Sequence, residues 1–269
     1  MSVNKLYVEG RLDVECLNPI LGGQVAIQRK GTKDDLHHIV RRERADGASV
    51  CYLRDRDFDT EPSVPYTAQI VVDRSINGVT HGYRWQRLDL EAYLLEPRLV
   101  STAMGISSDE LERELVLAAT SLRDYEAARW TIAQVRAELP HSRIVRTRPP
   151  SVTADYEVPS DLSETYSWHW IRSAAQDFLN QASRALDVSS LQQQYRHYRQ
   201  ALPVKDWQEV LLWYSGKDLL CQMAALRMRL NCPQPSDFCS KAARWIQKNS
   251  TQAESLLPEW VELRRVLAI

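Results

Sequence analysis

Glycine is scarce in this chain, nine of 269 residues. That argues against a turn-dense all-β fold and for helix-rich structure. Apolar runs long enough to cross a bilayer are missing, and the polar N-terminal stretch leads straight into a β-prone segment instead of a signal peptide. The expectation is a cytoplasmic protein with no membrane partner. Five cysteines are present (Cys16, Cys51, Cys221, Cys232 and Cys239), but they form no Cys-x-x-Cys pair and no Cys/His set at zinc spacing, so reduced thiols are expected and structural zinc is not. Gly216-Lys217 lacks the glycine spacing of a phosphate-binding P-loop, so any ATPase must be a partner chain. The net charge is −1 and there is no basic tail. A nucleic-acid partner stays open all the same, because an acidic metal site offsets a local basic surface in the total. No repeat or low-complexity tract is present.

The length suffices for a sizeable core, as one large domain or one domain carrying a helical insertion. Short apolar strands over 5–8, 24–27 and 49–53 alternate with helical stretches over 12–17 and 33–44. This β-α-β-α-β order predicts a parallel sheet with right-handed crossovers. Asn77-Gly78 between two β-prone runs predicts an antiparallel hairpin at the sheet edge. From Ser107, which forms a capping box with Glu110, the pattern turns helical. A second helix is expected over 123–139, then a linker over 142–157 that begins basic with Arg143, Arg146 and Arg148, then helices over 167–186 and 189–202. Val210-Leu211-Leu212-Trp213-Tyr214 reads as a strand returning to the sheet, with helices following over 219–230, 236–248 and 258–267. The expected class is α/β, a Rossmann-like, mostly parallel sheet. Residues 1–100 form its core, 101–205 a large helical insertion, and 206–269 the return strand and C-terminal helices that complete it.

The acidic residues fall where predicted strands end. Val8 runs into Glu9-Gly10 with Asp13 one helical turn on, Leu53 precedes Asp55-Arg56-Asp57-Phe58-Asp59, and Leu88 precedes Asp89-Leu90-Glu91. Ligands of α/β sheets collect at the carboxyl ends of strands, so the three clusters are expected to converge. Crowded carboxylates repel and need a cation, and hard oxygen donors with open positions suit Mg²⁺ or Mn²⁺. Each residue alone has an ordinary reading as a helix cap or solvated turn; the joint pattern is harder to dismiss. A calcium-loop reading of Asp55-x-Asp57-x-Asp59 fails, because Thr60 stands where glycine is required and Tyr66 where the bidentate glutamate belongs. A phosphatase with Asp55 as nucleophile leaves Glu9 and Glu91 without a role.

Val8-Glu9-Gly10-Arg11-Leu12-Asp13, Asp55-Arg56-Asp57 and Asp89-Leu90-Glu91-Ala92-Tyr93-Leu94-Leu95 resemble the TOPRIM domain, the metal-binding fold of topoisomerases, primases and overcoming-lysogenization-defect nucleases. They look most like the small TOPRIM-like nucleases encoded beside ATPases in bacterial anti-phage defence operons, whose late Gly-Lys motif is similar to Ser215-Gly216-Lys217-Asp218. The likeness covers residues 3–100 and 208–230. It implies a TOPRIM-like catalytic core and a metal-dependent endonuclease on DNA or RNA, the toxic effector of a defence system controlled by an ATPase partner. By the same resemblance Asp55 and Asp57 are primary metal ligands and Glu9 is ligand or general base. Asp13 and Glu91 complete a second metal position, and Lys217 neutralises transition-state charge. One or two Mg²⁺ (or Mn²⁺) ions would serve, two of them about 3.5–4 Å apart. The chain departs from the pattern at Leu53 and Asp89, where hydroxyl residues are usual. Asp59 and Asp89 become candidate outer ligands, and the number of ions stays open. A catalytically silent TOPRIM-like adaptor and a Mg²⁺ phosphatase remain alternatives, and a homodimer is not excluded.

The candidate phosphate contacts are the loop cations Lys30, Lys33 and Arg56. Arg41, Arg42 and Arg44 read instead as a solvated helix face. Trp168-His169-Trp170 and Tyr195-Arg196-His197-Tyr198-Arg199 admit two readings, bases stacked on exposed rings or core packing, and exposed rings would also offer a restraining partner a docking surface. His37, His38 and His81 match no zinc or nucleophile pattern and read as structural.

Overall fold

Short apolar stretches alternating with helical ones wind the first half of the chain into β1 (Lys5–Val8), α1 (Arg11–Leu21), β2 (Ala26–Arg29), α2 (Lys33–Ala45), β3 (Val50–Arg54), β4 (Val71–Ile76) and β5 (Val79–Arg84). The computed structural model describes residues 3–138, 149, 152, 157–182 and 188–267, without the side chains of residues 33, 34, 138 and 177–182. The fold is α/β, with one sheet in the order β2-β1-β3-β5-β4. All neighbours run parallel except β4, which pairs antiparallel with β5 at the edge. Their turn is Asn77-Gly78 with φ of 50° and 74°, the left-handed pair that a two-residue hairpin needs.

Two crossovers cover opposite faces. Leu6, Val8, Cys51 and Leu53 join α1 in the main apolar core, whereas Tyr7, Val50 and Tyr52 pack on Leu36 and Val40 of α2. Burial on both sides explains why β3 is apolar almost throughout. The chain passes from β1 outward to β2 and then back beyond β1 to β3, so the strand order reverses between β1 and β3. At such a reversal the crossovers part and leave a crevice at the strand ends.

The rest is helical: α3 (Leu90–Leu94), α4 (Pro97–Met104), α5 (Ser108–Glu138), α6 (Glu164–Ala182), α7 (Val188–Ala201), α8 (Trp207–Trp213), α9 (Gly216–Gln222), α10 (Ala224–Arg229), α11 (Pro235–Lys248), α12 (Ser250–Leu256) and α13 (Pro258–Leu267). Every residue of α5 from Tyr125 to Ala133 is buried, so this helix runs through the core and α6, α7, α8 and α9 pack around it. On the other side α11 and α12 cover α1, and Arg264 of α13 donates to the Ile20 carbonyl at 2.8 Å. No helix among the described residues is long and apolar enough to cross a membrane.

The expected return strand is a correction. Val210 to Trp213 belong to α8, which Asp206 caps by accepting from the Gln208 N–H at 2.8 Å. All of Val210 to Tyr214 is buried, and a short run buried on every side looks the same as strand or helix. The expected break before Arg123 does not occur either. Asp124 stays helical and pairs with Arg199 of α7 at 2.5 Å. Arg143, Arg146 and Arg148 lie outside the described residues.

Glu259 is fully buried and accepts from the Gln86 N–H at 2.9 Å. Burial lifts its carboxyl from 4.5 to about 7, against hydrogen bonds from Tyr93 and Gln86 that pull it down. An acid whose pKa rises on folding stabilises the native state below its unfolded pKa, and loses that contribution as pH climbs through the folded one. Glu259→Gln is therefore expected to gain stability relative to wild type between pH 4.5 and about 7, in total on the order of 3 kcal/mol. Urea unfolding at each pH reads this directly, and a difference that stays flat across the range would refute it.

Candidate functional site

β1 and β3 are parallel neighbours, so the residues that follow them, Glu9 and Asp55, emerge side by side. The Asp55 N–H donates to Glu9 Oε1 at 3.1 Å. Gly10 then opens α1, its N–H donating to Asp13 Oδ2 at 2.9 Å. Asp57 takes the left-handed conformation at φ 51° and donates its N–H to the Leu88 carbonyl at 2.9 Å. This contact joins the segment after β3 to the one that carries Asp89 and Glu91.

Asp89 fastens α3 to α9. Its Oδ1 accepts from the N–H groups of Ala92 and Gly216, each at 3.0 Å, and its Oδ2 accepts from Ser215 Oγ at 2.8 Å. A Cβ on Gly216 would stand 2.1 Å from Ala92 N, so only glycine lets the two helix starts touch. That contact sets Lys217 Nζ 3.1 Å from Glu91 and 3.8 Å from Asp89. Behind it, Asp218 is ion-paired with Arg129, and Glu126 stands 3.6 Å from the same guanidinium while accepting from the Ser215 N–H at 3.4 Å. The sequence reading passed over Glu126, Arg129 and Asp218. Their signal was two opposite charges one turn apart inside the apolar stretch from Tyr125 to Trp130.

One electrostatic field holds the cluster together. Burial pushes the Asp55 carboxyl well above its usual range; Lys217 opposes that shift, while Asp13, Asp57 and Glu9 add to it. Asp13 is lifted to about 7 by burial and then by Glu91. Burial works against the Lys217 charge, but Glu91, Asp89 and Asp55 outweigh it and raise its pKa well above normal. The structure thus puts Asp13, Asp55, Asp89 and Glu91 in the field of a single ammonium, with Glu9 and Asp57 beside Asp55.

Other expected contacts stand elsewhere. Arg56 is not a surface cation: it is 2 % exposed, donates to the carbonyls of Thr60 and Leu212, and lies over the Trp130 ring. Lys30 is exposed, with its ammonium 5.4 Å from the Tyr7 ring centre; the Lys33 side chain lies outside the described residues. Asp59 pairs with Arg54 at 3.0 Å on the α2 face. Of the two readings of the aromatic segments, core packing holds for Trp170, which stacks on Tyr125, for Tyr198, which stacks on Trp130, and for the buried Tyr195, while Trp168 is half-buried. Buried rings offer neither stacked bases nor a partner a surface.

As the side chains stand, no three His, Cys, Asp or Glu groups among the described residues are gathered so as to hold a metal ion. The donor chemistry still fits a hard divalent cation. Every donor is a carboxylate oxygen, and Asp55 Oδ1 is buried without a hydrogen-bond partner. No family model and no curated protein matches this chain. The cluster's own chemistry is a surplus of buried negative charge with one cation inside it, a place that gains from added positive charge.

Gly216→Ala forces α9 away from α3 and is expected to cost about 1–3 kcal/mol, seen as a lower midpoint in thermal or urea unfolding. An unchanged midpoint would mean that the two helix starts do not depend on this contact.

Proposed function

We propose that this chain is a Mg²⁺-dependent endonuclease of TOPRIM type that cleaves phosphodiester bonds in DNA or RNA in the cytoplasm. The observation that carries the reading is that Glu9 and Asp55, at strand ends where the sheet order reverses, share one electrostatic field with Asp57, with Asp13 of α1 and with the Glu91–Lys217 pair of α3 and α9. A divalent ion held by Asp55, Asp57 and Glu9, with Asp13 and Glu91 at a second position, would supply Lewis-acid polarisation of a phosphoryl oxygen. Glu9, oriented by the Asp55 N–H, is the group to take a proton from the attacking water at a carboxylate oxygen. Lys217 stays protonated beside Glu91 and Asp89 and offers its N–H groups to the non-bridging phosphate oxygens, where charge builds in the transition state. Asp89, Ser215 and the Arg129–Asp218 pair hold that lysine's helix in place. The role as a toxic anti-phage effector restrained by an ATPase partner rests on the resemblance of residues 3–100 and 208–230.

A second reading has an observation of its own. Lys217 already neutralises Glu91 and Asp89 from within, which suits a TOPRIM-like adaptor that binds an ATPase or nucleic acid without cutting. Purified protein incubated with single-stranded DNA, duplex DNA and RNA separates the two. Cleavage is expected with Mg²⁺ or Mn²⁺ and none with chelator, and Glu9→Gln and Asp55→Asn each lower the rate at least about 100-fold. Asp55→Asn is also expected to raise the melting temperature of the chelated protein, because it removes a charge that burial disfavours. Undiminished cutting in both variants would remove the site assignment, and a wild-type protein inert with either metal would leave the adaptor.

A further inference from the structure

α2 covers β1 and β3 and reaches β5, so the antiparallel edge of the sheet projects past it. The result is a cleft of about 430 Å³ between His37, His38 and Arg41 of α2 and Arg54, Asp73 and Arg74 of the sheet. Several sequence features build its floor. β4 carries register shifts on both sides of Arg74, a bulge of the kind that re-aims side chains. Gly82 of β5 lies directly under the Tyr52 ring, where a Cβ would stand 2.0 Å from Cζ. The ring therefore passes over β5 and donates its hydroxyl to Asp73 Oδ2 at 2.5 Å. Arg54 grips the same carboxylate with two nitrogens, at 3.0 and 2.6 Å.

The charge around this floor does not balance. Asp73 and Asp59 are both engaged by Arg54. Exposed Arg41 and Arg74 add positive charge with no carboxylate paired to either among the described residues. Arg84, beside Arg54 on β5, has its Nε buried without an acceptor, and His37 Nδ1 is likewise buried and unpartnered. Burial first, and then the neighbouring Arg74, His38, His81 and Arg41, lowers the His37 pKa. One orphaned buried nitrogen, His37 Nδ1, and two unpaired guanidinium groups around an open cleft suit an anion with several acceptor oxygens.

We propose that this cleft holds a backbone phosphate of the nucleic-acid strand, with Arg41 and Arg74 as its charge contacts and Arg54 and Asp73 as the rigid floor. This rests on the endonuclease reading, since it names how that enzyme would hold its substrate beside the bond it cuts. The placement follows from strand alternation. Arg54 faces α2 and the cleft, and the next residue, Asp55, faces α1 and the carboxylates. A strand crossing the end of β3 meets both.

The test is binding of wild-type protein in chelator to fluorescent single-stranded and duplex oligonucleotides across a salt series. Arg41→Ser and Arg74→Ser are each expected to weaken binding and to reduce the slope of log K against log salt by about 0.9 on duplex or about 0.7 on single strands. Arg41→Lys and Arg74→Lys should restore the slope. Affinity and slope unchanged in the double serine variant overturn the proposal. So does binding of a nucleoside monophosphate that depends on these arginines while oligonucleotide binding does not. If the wild type never cuts but the serine variants still lose affinity, the endonuclease reading fails and the phosphate contact stands. If it cuts while the variants bind normally, the cleft assignment fails alone.

Discussion

A single buried carboxylate, that of Asp89, holds the chemistry of this protein in one place. Two backbone N–H groups and one hydroxyl converge on it from two helix starts distant in sequence. A charge taken out of water is tolerable only when its acceptor capacity is filled, and here filling it requires α3 and α9 to meet. Gly216 permits the approach, and the buried Arg129, Glu126 and Asp218 hold α9 from the other side. Breaking one member would leave another buried charge uncompensated, which makes the arrangement all-or-none.

The carboxylates in front of this scaffold work against stability. Burial, with repulsion from neighbouring carboxylates, raises both Asp13 and Asp55, so holding them ionised costs the folded chain stability. The opposite face at the same strand end has an excess of the other sign. Arg54 and Asp55 point the two ways from adjacent positions, one to the basic cleft and one to the acidic cluster.

Much of the sheet was legible because its signals are local. Asn77-Gly78 specifies its own turn, β3 is continuously apolar, and Glu9-Gly10 with Asp13 encodes a helix entry in five residues. Where local signals were ambiguous the reading failed. Val210 to Tyr214 carries no period that separates a buried helix from a strand. Arg56, in an acidic loop, looked solvent-facing, yet carbonyls from Thr60 and Leu212 draw it inward. Aromatic and basic residues alternating on α7 left core packing and base stacking both open, and the packing of α5 against them decided for the core.

By itself the sequence determined the strands of the sheet with the hairpin turn between β4 and β5, and that acidic residues stand at the ends of β1 and β3 and ahead of α3. Hydrogen-bonded turns, apolar periodicity and strand ends are properties of neighbouring residues. Tertiary structure alone decided that these carboxylates share one field with Lys217, that Glu126, Arg129 and Asp218 lie behind it, and that His37, Arg41 and Arg74 border a cleft. Those relations join residues from separate helices and strands, and they exist only once burial has removed the water that would otherwise screen each charge from the next.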